Sequence, residues 1–211
     1  MLTGVDTNTD LMSTATDMKT TRPYTMTARA EAAEVTRLRI LDAMVGLATS
    51  RLLTDISLDD VATAAGVSVQ TVLRRFGNRA GLVDAAYAHA VAEVETERQA
   101  PTGDVDAAVA AIVEHYERRG DGVVLMLAQE GSDETVRRIT ENGRRMHREW
   151  VQTVFAPYLP SPEAAREARV DLLVVATDVY TWKQLRRDRG LDRATTIQRI
   201  HELVTALIPQ E

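Results

Sequence analysis

An all-α fold is predicted, and three observations predict it. Apolar residues recur at helical spacing through nearly all of the chain beyond residue 27. Cap residues and glycines punctuate these stretches where helices would start and stop. No alternation of polar and apolar residues is sustained long enough to make a strand. With 211 residues, 45% of them hydrophobic, the chain can bury a sizeable core in one or two domains.

In chain order, residues 1–26 are rich in Thr and Asp and poor in large apolar groups. Such a segment buries too little surface to offset its ordering entropy, so a disordered tail is expected, with Lys19 and Arg22 as its cations. Leu38, Leu41, Val45 and Ala48 then mark one face of a first helix. Ser57-Leu58-Asp59-Asp60 has the form of a capping box and opens a short helix through Ala65. Gly66 breaks it, Ser68 can cap the next helix up to Phe76, and Asn78 can cap another that runs to near Gln99.

Pro101 and Gly103 end that stretch. Val105, Val109, Ile112 and Tyr116 predict a helix that stops at Gly120, with Asp121-Gly122 as a turn and a short apolar helix over 123–128. An Arg-rich helix follows toward Phe155, with Asn142-Gly143 as a place for a kink. Beyond three prolines, one long helix is expected from Glu163 to Arg189, closed by Gly190. Asp192 can cap a last helix carrying Ile197, Ile200, Val204 and Leu207 on one face.

The segment over residues 57–76, SLDDVATAAGVSVQTVLRRF, is the most informative. Val61, Ala62 and Ala65 can face inward from its first helix, and Val72 and Phe76 from its second. Small residues at Ala62 and Ala65 let the helices approach, and Gly66 accepts the backbone angles of a tight turn. This packing leaves Val69, Gln70, Thr71, Arg74 and Arg75 outward. Gln and Arg present bidentate hydrogen-bond geometry to adenine and guanine edges, so such a helix suits a DNA major groove.

These residues resemble the tetracycline-repressor-like (TetR/AcrR) family of bacterial regulators. The match runs from Ser57 through Val61-Ala62, Ala64-Ala65-Gly66-Val67-Ser68, Thr71 and Phe76 to Asn78-Arg79 and Leu82. The resemblance implies a three-helix helix-turn-helix DNA-binding domain, assigned to 27–80, and a helical ligand-binding and dimerisation domain, assigned to 81–211. It also implies a homodimer that binds a near-palindromic operator on double-stranded DNA, and repression relieved by a small-molecule effector. Thr71 corresponds to a threonine contacting base or phosphate. Gln70, Arg74 and Arg75 occupy specificity positions, and Ser68 and Val69 belong to the same helix start. Arg79 stands where the family places a phosphate-clamping residue, and Ser57 with the amide of Leu58 can bind phosphate similarly. The sequence departs from the pattern at Leu73, where the family usually has Tyr packed on the DNA backbone, and at Asp59, where some members carry a basic residue.

The charge distribution fits this reading. Residues 22–80 hold eight arginines against six carboxylates, while residues 81–211 hold sixteen cations against twenty-two carboxylates, so the net charge of −6 lies away from the DNA-facing segment. The absence of cysteine excludes thiolate chemistry and Cys-based zinc sites, and the four histidines show no helical metal-ligand spacing, so neither metal nor cofactor is expected. No nucleotide-binding or nucleophile motif is evident, so an enzyme is not expected. No secretory signal or membrane-length apolar run stands out, which implies a cytoplasmic protein.

In the second half, residues 172–176 are apolar on every side and should be buried all round, either within one subunit or in a dimer bundle with the last helix. The dimer is favoured because two reading helices must be held one DNA turn apart. Asp178 is expected to pair with Arg186 or Arg187, or to sit at the rim. A ligand pocket should lie between the helices of 83–155, with Tyr116, Met126, Gln129, Met146 and Trp150 as candidate linings for an apolar or amphipathic effector. The alternative is a helical small-molecule-binding or interaction protein whose DNA binding is weakened, which Leu73 makes conceivable.

Overall fold

The computed structural model describes residues 22–209, with side chains from residue 28. The tail expected over 1–26, with Lys19, lies outside the described residues up to residue 21; helix α1 (Arg22–Ala48) already includes Arg22. The chain divides into two units, Met1–Thr36 and Arg37–Glu211. In the first, the Thr36 hydroxyl donates to the Ala32 carbonyl at 2.8 Å, an in-helix bond typical of threonine. All that follows concerns the second.

Among the described residues every regular element is helical. After α1 a single turn (Leu53–Asp55) leads to α2 (Leu58–Ala65), α3 (Val69–Phe76) and α4 (Arg79–Glu97). There follow α5 (Val105–Leu127), α6 (Glu134–Val154), a turn (Ala156–Tyr158), α7 (Glu163–Ala176), α8 (Val179–Lys183) and α9 (Arg193–Leu207). Two apolar cores form. The first gathers Ile40, Leu41 and Met44 of α1 with Leu53, Val61, Ala62, Val72, Leu82, Val83 and Ala86, plus Val136 of α6. The second is built on α5, whose Val109, Ile112 and Tyr116 meet Leu173, Trp182, Ile200 and Val204.

The expected α1 face is displaced by about one position. Ile40, Leu41 and Met44 are buried while Leu38 is exposed, because α2 and α4 pack on the side centred at Leu41. The caps form as expected at four helix starts. Ser57, Ser68, Asn78 and Asp192 accept from the amides of Asp60, Thr71, Gly81 and Thr195.

Three helix boundaries differ from expectation. Helix α5 runs unbroken through Gly120 and Gly122, because these glycines serve close contact rather than a turn. A Cβ at Gly120 would stand 2.4 Å from the Trp182 ring, and one at Gly122 would stand 2.9 Å from Thr49. Helix α6 passes through Asn142-Gly143 without interruption. Conversely, the long helix expected over 163–189 is divided. Thr177 ends α7, and the Asp178 carboxylate caps α8 by accepting from the Tyr180 amide at 2.8 Å. A π-helical turn at Gln184–Asp188 then leads to Gly190.

Within one subunit residues 172–176 are buried on one side only. Leu173 and Ala176 face the second core, while Leu172 and Val175 are 51% and 64% exposed. The expected Asp178 pairing is also absent: Arg186 pairs with Glu117 and Arg187 with Asp121, and Arg187 also lies over the Trp182 ring.

Candidate nucleic-acid interface and ligand cavity

The α2–α3 pair is held by short-range bonds. The Ser57 hydroxyl accepts from the Asp60 amide, and the Asp60 carboxylate accepts from the Ser57 amide at 2.8 Å, which completes the capping box. Arg51 pairs with Asp60 at 3.1 Å. The hydrogen bonds from Arg51 and Ser57 hold the Asp60 carboxyl well below the usual carboxylate range. Gly66 takes φ +64°, a left-handed angle that closes α2 and that a side-chain residue would adopt only with strain. The guanidinium of Arg39 donates to the carbonyls of Ala65 and Gly66, at the negative end of α2. No sequence motif marks Arg39; only its spacing on α1, two residues before Leu41, places it there.

On α3, Val72 is fully buried and Phe76 half-buried, which orients the helix. Gln70, Leu73 and Arg74 are exposed and, with Ser68 and Thr71, line one shallow surface depression. The Thr71 hydroxyl lies 2.9 Å from that of Ser68, so both belong to the cap. Arg75 is half-buried, with its Nε enclosed and without a protein partner. Leu58 and Val69 pack in part against the first core, leaving their backbone rather than their side chains to meet a ligand. Ser57 is exposed, though its hydroxyl also bonds the Asp60 carboxylate at 2.7 Å. Arg79 is engaged within the protein. Its Nε donates to the Ile56 carbonyl at 3.1 Å and a terminal nitrogen donates to Leu53, so the guanidinium braces α4 against the 53–56 turn.

Behind the motif lies a cavity of about 710 Å³, lined by α1, α4, α5, α6 and the α7–α8 junction. Of the expected linings, Tyr116, Met126 and Met146 reach it. Gln129 does not: it is buried, its carbonyl accepts from the Leu53 amide at 2.8 Å, and its amide donates to Leu125. Trp150 stands one layer back, donating to the Arg98 carbonyl at 2.8 Å and stacking on His147. Sequence reasoning missed Arg98, His115 and His147, which line the cavity and come together only in three dimensions.

The polar groups of this cavity are unusual for their burial. His115 donates from Nδ1 to Glu97 at 2.9 Å, yet burial and the Arg98 charge push it down to about 3, so it is neutral at pH 7. His147 is likewise pushed down to about 4 by burial and by Arg98. Burial tends to raise the Glu97 carboxyl, but bonds from Arg119 and His115 outweigh it and hold Glu97 down at about 2. Tyr116, raised by burial, donates to the Thr177 carbonyl at 3.1 Å.

Two short helices joined by a left-handed glycine, the second carrying an exposed Gln and Arg, define a helix-turn-helix of the DNA-reading class. Residues 40–86 match the family model described as "Bacterial regulatory proteins, tetR family". Over these residues the chain is similar to the tetR family of bacterial regulators.

Solved structures extend the likeness to the remaining helices. A putative TetR-family transcriptional regulator from Rhodococcus sp. is 14% identical, with a TM-score of 0.62 over 82% of this chain and 99% of that one. A tetR-family transcriptional regulator from Streptomyces coelicolor is 22% identical, with a TM-score of 0.61 over 82% and 80%. The multidrug binding protein EbrR, complexed with imidazole, is 21% identical, with a TM-score of 0.51 over 83% and 90%. At these identities the likeness is one of fold. Among curated proteins, none matches this chain.

Proposed function

We propose that the protein is a sequence-specific DNA-binding regulator, acting as a homodimeric repressor that a small-molecule effector releases from a near-palindromic operator. The observation that carries this reading is the presentation of α3. Val72 and Phe76 fix its rotation, Ser68 fixes its start, and Gln70 and Arg74 are left exposed on one side. These are residue types that read base edges. Ser57, Leu58, Ser68, Val69 and Thr71 supply hydroxyls and amides at two helix N-termini for phosphate. Arg75 and Arg79 add positive charge behind them.

Dimerisation is supported by the apolar surface of α7–α9. Leu172 and Val175 share one face of α7, and Tyr180 and Leu203 are also about half exposed. Effector release is supported by α4. Its Leu82, Val83 and Ala86 complete the first core, while Tyr87, Val91 and Val94 line the cavity. A ligand that favours a different α4 position shifts the reading motif, because Arg79 ties α4 to the 53–56 turn that leads into α2. A hundredfold difference in affinity between the two states corresponds to about 2.7 kcal/mol. No described helix is long and apolar enough to cross a membrane, and a cytoplasmic site of action follows from DNA as the partner.

The test is fluorescence anisotropy with DNA from the protein's own promoter region. Wild type should bind with a steep salt dependence. The Arg74→Ala, Arg75→Ala double variant should lose at least about tenfold in affinity, taking about 1–3 kcal/mol per base-reading arginine, yet remain dimeric by light scattering. Failure of wild type to retain such DNA at low salt overturns the proposal.

A further inference from the structure

We propose that the effector is an amphipathic carboxylate whose anionic head is received by Arg98 and whose apolar body lies along α4 and α5. This rests on the reading of the cavity as an effector site. At about 710 Å³ the cavity lies within the roughly 300–1,000 Å³ of small-molecule sites. Its walls are mostly apolar, with Val83, Val91, Val94, Val123 and Met126 among them.

The charges around it are lopsided. Five arginines and two histidines line the cavity against one carboxylate, that of Asp178, which is engaged as the α8 cap. Arg119, Arg144 and Arg148 are paired with Glu93 and Glu97, with Glu130, and with Glu167 and Asp171. Arg145 reaches Glu149. Arg98 differs from them all: among the described residues no carboxylate pairs with it, and its Nε is enclosed without a protein partner. The adjacent carboxylate, Glu97, is engaged by Arg119 and His115.

Arg98 lies over the Tyr116 ring, 5.6 Å from its centroid. His147, only 6% exposed, completes the polar patch. Its Nε2 faces the Val174 carbonyl and the Thr177 hydroxyl, and its Nδ1 is buried without a protein partner. Both cavity histidines are neutral at pH 7, so neither compensates nor duplicates the Arg98 charge. A half-buried guanidinium whose Nε is enclosed and unpaired lacks a counter-charge, and a ligand carboxylate supplies both the charge and the bidentate acceptor it lacks. The same positive field is hostile to organic cations.

The experiment is isothermal titration calorimetry at pH 7.5 with three probes of equal chain length: decanoate, decanol and decyltrimethylammonium. Wild type should bind decanoate at least about tenfold more tightly than decanol, and the cation most weakly. Arg98→Met should bring decanoate down to the level of decanol while leaving decanol binding unchanged, which also shows that the variant is folded. Equal or tighter binding of decanol or of the cation by wild type overturns the carboxylate assignment and leaves the effector cavity standing. A preference for decanoate that persists in Arg98→Met overturns the role of Arg98. Binding of none of the three overturns the effector cavity along with the proposal.

Discussion

The helix pair at 57–76 and the cavity behind it treat polar groups in opposite ways. In the helix pair, caps are closed within three residues: Ser57 with Asp60, and Ser68 with Thr71. In the cavity, partners come from far along the chain or are missing. Tyr116 bonds Thr177, 61 positions away, and Arg98 and His147 each keep a buried nitrogen without a protein partner. A reading head must hold its shape before it meets DNA, so its caps are closed locally, although Arg75 keeps an enclosed Nε without a protein partner. A binding cavity gains selectivity by leaving polar groups to be completed by a ligand.

This contrast predicts where the molecule is most vulnerable. Trp182 is fully buried, stacks over Gly120, and donates to Glu117 at 2.9 Å. Trp182→Ala should cost about 3–5 kcal/mol in urea denaturation, the usual range for emptying a large aromatic site. The helix pair contains nothing comparable, since Ala62 and Ala65 carry much of its contact. Val72→Ala should therefore cost less, on the order of 2 kcal/mol. A smaller loss at Trp182 than at Val72 breaks the comparison.

The second prediction concerns acid. His115 and His147 are both held below their ordinary value of 6.5, to about 3 and about 4. Above pH 6.5 folded and unfolded chains are both neutral at these positions, and stability is complete. As pH falls below 6.5 the unfolded chain takes up protons that the folded chain refuses. Stability then declines by up to about 1.4 kcal/mol per pH unit for each histidine until the folded-state values are reached. Both tryptophans, Trp150 and Trp182, lie in this half of the molecule. Their fluorescence should report a falling urea midpoint between pH 7 and pH 5, and His147→Gln should flatten the slope. An unchanged midpoint across that range contradicts the burial argument.

The same contrast explains what the sequence revealed. Caps and a glycine turn are local signals, so Ser57, Gly66, Ser68 and Asn78 could be read one turn at a time. Gly120 and Gly122 read falsely as breaks, because what they accommodate, Trp182 and Thr49, lies more than sixty residues away. The break at Thr177–Asp178 was hidden by the apolar run around it. Tyr116, Met126 and Met146 were found from helical spacing. Arg98, by contrast, sits among ordinary charged residues at the end of α4 and shows its character only through the partners it lacks. Arg79 matched a motif position, and what the motif could not show was that two backbone carbonyls would engage its guanidinium.

The smallest effect expected tests the reading helix itself. Leu73 is 39% exposed and borders the depression formed with Gln70 and Arg74. Similar regulators usually carry tyrosine there, against the DNA backbone. If α3 docks as proposed, Leu73→Tyr adds one neutral hydrogen bond to phosphate, about 0.5–1.5 kcal/mol, or a severalfold gain in affinity. A phenol is uncharged, so it displaces no counterion, and the slope of log affinity against log salt should stay the same. Arg74→Ala should instead lower that slope by about one if the arginine meets phosphate, and relax base preference if it meets a guanine edge. An affinity for promoter DNA unmoved by Leu73→Tyr places residue 73 away from the backbone. The rotation of α3 set by Val72 and Phe76 would then present a different set of side chains to the groove.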